Sequence, residues 1–278
     1  MFLRSKDRHL NAHRVTQPVD SHPCPCCAVR LNKRLRRVKE TSRIFCDCIV
    51  LPSHILPDLT EAPMQYARPL PHYLVSRYSG WKATTYQDNK AWYRRLAAHG
   101  QHPRAMIISC CDSRQHVTSI FGADEGEFFI HRNIAGLVPP YSPDGGNHGT
   151  SATVEYAVTA LKVAHVIVIG HSNCGGVKGC DDMCSGHAPQ LLEKTSFVGR
   201  WMDILRPGYE RVAHLPDADR ARALEKEAVL VSLENLMTFP FVREAVESEI
   251  LTLHGLWNDI GEGGLEQYDP AAKAFVPF

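Results

Sequence analysis

A histidine and a cysteine three residues apart, His171 and Cys174, form together with Cys110 a ligand set suited to zinc. Cysteine thiolate and imidazole are its preferred ligands, and three protein ligands with one position left open mark a catalytic rather than a structural site. The His-x-x-Cys spacing lets both side chains of a tight turn converge on one ion, while Cys110 arrives from 61 residues earlier than His171. A closed structural site would need a fourth ligand, for which Cys111, Cys180 and Cys184 are the candidates. Cys111 should point away from Cys110 if the strand direction persists. By spacing alone, open and closed sites remain equally compatible. Asp112 and Arg114 stand in the same short segment. An aspartate beside a metal can accept a proton or a hydrogen bond from metal-bound water, and an arginine two residues on can keep it ionised. Taken singly, the pair reads as an ordinary surface ion pair.

Both clusters need elements to present them, and the pattern supplies strands. Ala105-Met106-Ile107-Ile108 is a buried-strand run that leads directly into Ser109 to Arg114, and Val166-Ile167-Val168-Ile169 leads into Gly170 to Gly176. Phe128-Phe129-Ile130 is a further strand run. Leu74 to Trp81 and Asn89 to Ala98 are predicted amphipathic helices, the second with Trp92 and Leu96 four residues apart. After the Pro/Gly-rich loop 139–149, Ser151 to Lys162 is a predicted helix with Val154, Ala157, Val158 and Leu161 on one face. Helices from Asp219 to Leu236 and from Pro240 to Ser248, and a strand at Ile250 to Trp257, complete the pattern. This alternation predicts an α/β fold, a mainly parallel central β-sheet flanked by helices. In such sheets ligands gather outside the carboxyl ends of the strands, so the two polar clusters are expected to face one crevice.

The composition, 44% hydrophobic and 22% charged, is that of a globular chain. No apolar run approaches the roughly 20 residues that cross a bilayer, and the amino terminus lacks the apolar core of a secretory signal, so a cytoplasmic location without membrane contact is expected. Ten cysteines, several of them adjacent, fit a reducing compartment. Residues 1–63 carry 11 of the 31 Lys+Arg and 6 of the 30 Asp+Glu, a balance of +5 that leaves −4 for residues 64–278. Prolines at 18, 23, 25, 52, 57 and 63 and the lack of periodicity predict a basic, mostly disordered extension over 1–63, with Met64 a candidate start. Cys24, Cys26, Cys27, Cys46 and Cys48 lack the two-residue gaps of a zinc knuckle and read as unliganded thiols. The basic run Arg30 to Lys39 reads as solvated chain, and no nucleic-acid partner is expected.

The segment Cys110-Cys111-Asp112-Ser113-Arg114 resembles the Cys-x-Asp-x-Arg motif of beta-carbonic anhydrases, and His171-Ser172-Asn173-Cys174-Gly175-Gly176 resembles their His-x-x-Cys-Gly-Gly motif, in the same order. Arg132-Asn133, Gly149 to Tyr156 and His254-Gly255-Leu256-Trp257 are also similar to family positions, and the resemblance spans roughly residues 66 to 278. It implies one Zn2+ per chain on Cys110, His171 and Cys174, and hydration of carbon dioxide to bicarbonate and a proton, the reaction of a lyase, by hydroxide on the zinc. Asp112, held by Arg114, would orient that hydroxide and serve as an exchangeable fourth ligand in a closed form. Gln101, Phe129 and Tyr156 match positions lining the substrate pocket, with Gly175 next to the metal. The resemblance further implies a homodimer, or higher homo-oligomer, embraced by amino-terminal helices.

Some positions depart from the family pattern. Gly136 stands where many relatives have asparagine. Ile107 and Ser109 replace the Trp and Gly of members with a regulatory bicarbonate pocket, so no such regulation is expected. Alternatives left open are hydrolysis of carbonyl sulfide or carbon disulfide on the same scaffold, a zinc- or redox-sensing regulator, and an inactive structural zinc protein. A nucleic-acid-contacting regulator would need neither Asp112 nor Arg114, and its main domain would be basic rather than −4.

Overall fold

Six strands form a single sheet in the order β2-β1-β3-β4-β5-β6. The structure is a computed structural model and describes residues 66–278. The readings for residues 1–63, including the five cysteines there, lie outside the described residues. The chain runs through α1 (His72–Ala83), α2 (Thr85–Asp88), α3 (Lys90–His99), β1 (Ala105–Cys110), α4 (Val117–Phe121) and β2 (Phe128–Asn133). It continues with α5 (Gly149–Glu155), β3 (His165–His171), α6 (Gly175–Cys184), α7 (Phe197–Met202), α8 (Arg206–Val212) and α9 (Asp217–Leu236). The last elements are α10 (Pro240–Glu247), β4 (Thr252–Asn258), β5 (Leu265–Asp269) and β6 (Ala274–Pro277).

Strands β1 to β4 pair in parallel, and the continuous apolar runs of the inner strands β1 and β3 fit a sheet covered on both faces. All six residues of β1 are buried. Met106 and Ile108 join one core cluster, with Val154, Ala157, Val166, Val168 and Val229. Ile107 points to the opposite face and packs with Val117, Ile169 and Leu256. Helix α9 lies across β3 and β4 because Glu225, Val229, Ser232 and Leu236, one helical stripe, are buried. The approach is close enough that a Cβ added at Gly170 would stand 2.8 Å from the Val229 side chain.

The strands and long helices fall where the sequence places them, with most boundaries within three residues. The predicted helix from Ser151 is α5, running on through a wider π-type turn at Tyr156–Ala160, with Val154 and Ala157 fully buried. Elements α6 to α8 and the antiparallel pair β5–β6 had no predicted counterpart. Helix α1 forms as expected, but none of its residues is buried, and Tyr73, Tyr78 and Trp81 remain 40–59% exposed. Among the described residues these aromatic side chains therefore have no cover. No helix among the described residues is long and apolar enough to cross a membrane.

Candidate metal centre

Strands β1 and β3 are hydrogen-bonded neighbours in register, with Ser109 opposite Ile169. Their carboxyl ends therefore deliver Cys110 and His171 side by side. Beyond β3 the chain turns through Asn173, at φ 54°, a left-handed conformation that asparagine tolerates better than most residues, and brings Cys174 back at the start of α6. The ligand atoms of Cys110, His171 and Cys174 all lie within 4.8 Å of one another, and the three residues are buried. The two sulfurs are 3.9 Å apart.

This group fits a zinc ion. The carbonyl of Ser172 can only accept, so His171 Nδ1 carries the proton it donates at 2.9 Å. The lone pair is thereby placed on Nε2, which is buried and has no hydrogen-bond partner. A buried acceptor left unpaired is costly unless something fills its place, and two sulfurs face the same point. The Cys174 thiol, hydrogen-bonded to the Cys110 sulfur, pulls the Cys110 thiol down, while Cys110 and burial push Cys174 up.

Among the described residues no fourth protein ligand joins this group. Cys111 is exposed, and Cys180 and Cys184 face each other on α6 at 4.0 Å. The carboxylate of Asp112 turns to Arg114. Its Oδ1 accepts from the Arg114 backbone N–H at 2.9 Å and from Nε at 3.0 Å, and its Oδ2 accepts from Nη2 at 2.7 Å. These bonds hold the Asp112 carboxyl well below the usual carboxylate range. The same Nη2 donates to the Asn173 carbonyl at 2.9 Å, tying the two motif loops together.

One supporting residue carries no sequence signal. Glu225, on α9 and buried, accepts from the Cys174 N–H at 3.4 Å and from Trp257 Nε1 at 3.2 Å, and burial pushes its carboxyl up. It lies 51 residues beyond Cys174 in the middle of a helix, so only the fold brings it there. Gly136 explains itself sterically: its φ is +64°, and an added Cβ would lie 3.1 Å from the Ser109 carbonyl carbon and 3.2 Å from the Cys110 nitrogen. Asn133 closes the turn that carries Gly136 by accepting from Leu137 N at 2.9 Å and donating to Leu137 O at 2.8 Å.

The expected pocket residues divide into two groups. Gly175 borders a cavity of about 410 Å³ between α6 and α9, and a Cβ there would meet nothing within 4 Å. Phe129 is in register with Met106, four residues before Cys110, which is about 13 Å along the strand. Tyr156 packs on Phe129 with ring centroids 5.8 Å apart, and Gln101 precedes the start of β1. The structure therefore does not bring these three to the metal group of their own chain.

A parallel α/β sheet whose neighbouring strand ends present two cysteines, a histidine and an Asp–Arg pair forms a group able to bind a metal ion. The sequence profile of the family described as carbonic anhydrase matches residues 105–265. Beta carbonic anhydrase 3 of Arabidopsis thaliana is 38% identical over 210 residues, covering 74% of this chain and 79% of the relative. Carbonic anhydrase 1 of Escherichia coli O157:H7 is 35% identical over 205 residues, covering 73% and 90%. Among solved structures, the beta-carbonic anhydrase CcaA superposes with a TM-score of 0.67 at 31% identity, over 74% of this chain and 98% of that one. A tetrameric beta-carbonic anhydrase of Sordaria macrospora superposes with a TM-score of 0.58 at 31% identity, over 70% and 95%. The chain belongs to the beta-carbonic anhydrase family and is a carbonic anhydrase by enzyme class.

Proposed function

We propose that the chain catalyses the reversible hydration of carbon dioxide to bicarbonate and a proton, with one zinc ion held by Cys110, His171 and Cys174. The observation that carries this reading is the buried, unpartnered His171 Nε2 facing two sulfurs with no fourth protein ligand among the described residues. Zinc, when bound, supplies the Lewis acidity that makes a strong nucleophile from water near neutral pH, and two thiolate ligands weaken that acidity and move the rate toward the alkaline side.

The residues of the chain do the rest. A carboxylate has about four lone-pair sites. Arg114 occupies both sites on Asp112 Oδ1 and one on Oδ2, so a single acceptor site on Oδ2 remains for the proton of the attacking water. Because Arg114 keeps Asp112 ionised, the carboxylate acts as an acceptor that orients the water. A substrate pocket that includes Gln101, Phe129 and Tyr156 must take them from a second copy, since their own chain holds them at the amino ends of its strands. The aromatic side chains of α1 left exposed among the described residues and the position of β2 at the sheet edge support a homodimer or higher homo-oligomer. Ile107, fully buried and packed with Val117, Ile169 and Leu256, supports the absence of a regulatory bicarbonate pocket there. A cytoplasmic location rests on the cysteine usage of the sequence.

Stopped-flow hydration of carbon dioxide by the purified full chain, with metal content measured on the same sample, tests the reading. About one zinc per chain and a rate rising between about pH 6.5 and 9 are expected. One zinc without hydration would favour carbonyl sulfide or carbon disulfide as substrate, or a structural metal, and a flat profile would refute the weakened Lewis acid.

A further inference from the structure

Past Cys110 the sheet stops supplying partners: the Cys111 N–H still donates to Asn133 O at 2.8 Å, and thereafter the loop carbonyls need other donors. One guanidinium meets them. Arg132, the penultimate residue of β2, donates from Nε to the Cys110 carbonyl at 2.9 Å, and from Nη2 to the carbonyls of Asp112 at 2.7 Å and Gln115 at 2.8 Å. The amides of the same loop serve the chemistry. Asp112 N–H points at Cys110 Sγ at 3.4 Å, and Arg114 N–H donates to Asp112 Oδ1. The loop is therefore sorted, with these carbonyls turned to Arg132 and these amides to the thiolate and the carboxylate. Among the described residues no carboxylate forms an ion pair with Arg132.

We propose that Arg132 is a positioning residue that fixes the Cys110–Arg114 loop by gathering its carbonyls, so that the loop amides and the Asp112 carboxylate are held toward the metal centre. This rests on the proposed function for its consequence in catalysis, but its geometry does not depend on the reaction. A charged planar fork suits the task because it holds several acceptors at fixed angles and with charge-assisted strength. Lysine carries a compact point charge on a flexible stem and cannot reproduce that angular constraint.

The test uses the zinc-loaded full chain with Arg132→Ala and Arg132→Lys, and reads the rate at which a chelator strips zinc alongside the rate of hydration. The Ala variant is expected to purify with zinc but to lose it about 10–100-fold faster to chelator, with hydration falling by a comparable factor. Millimolar guanidinium should restore part of both, and the Lys variant should fall between Ala and the unaltered chain. Unchanged stripping and hydration in the Ala variant would overturn the proposal. Should that variant fail to fold, a Lys variant equal to the unaltered chain in both readouts would overturn it equally. If the unaltered chain holds zinc yet hydrates no carbon dioxide, the proposed function fails while the stripping rates still decide the role of Arg132.

Discussion

Replacing Arg114 with Ala separates catalysis from stability at this site. The side chain contributes two bonds to the Asp112 carboxylate, at 3.0 and 2.7 Å, and one to the Asn173 carbonyl at 2.9 Å. Its side chain is 50% exposed, so water replaces much of what is lost, and an exposed pair of this kind adds little to folding. The catalytic cost should be larger. Asp112 keeps only the Arg114 backbone N–H as donor, its lone pairs are no longer aimed, and loss of such an outer-shell partner costs about 10–100-fold in activity. The protonation argument has a definite sign. Arg114 depresses the Asp112 carboxyl, so its removal lets the group return toward about 3.9, still ionised at neutral pH. Raising the pH from about 6.5 to 9 should therefore not rescue the variant relative to the unaltered chain. Stopped-flow hydration, metal analysis and a denaturant midpoint on one preparation make the comparison. Full activity would refute the orienting role of the dyad, and loss of zinc would show that Arg114 serves the metal loop structurally.

Gly136→Ala should lower the denaturant midpoint, since the left-handed backbone alone costs about 1–2 kcal/mol and the new Cβ presses on the β1 backbone at 3.1 Å. An unchanged midpoint would mean that the Ile134–Gly136 turn can retreat from Cys110 without cost. Mixing two inactive variants, His171→Ala and Phe129→Ala, should restore activity, because a mixed dimer contains one intact metal group facing one intact pocket wall. No recovery, despite exchange of subunits shown by differential labelling, would indicate that each chain builds its pocket alone.

Much of the metal centre can be read directly from the sequence. Cys110 and His171 follow short continuous apolar runs that fit buried strands, Cys174 comes three residues after His171, and parallel strands send such residues to one end of the sheet. Local spacing likewise places Asp112 within reach of Arg114. The sequence is less informative where local pattern is weak: α6 to α8 are short helices without sustained periodicity, and β5–β6 is an edge pair with mixed exposure. Tertiary structure alone decides which groups meet across long separations. It places Glu225 behind Cys174, turns the loop carbonyls to Arg132, and reveals why position 136 accepts glycine, because these contacts depend on how closely α9, β2 and the turn approach β1 and β3. It also separates Phe129 and Tyr156 from the metal group of their own chain, since a residue early in a strand lies a full strand length from the carboxyl end where the ligands gather.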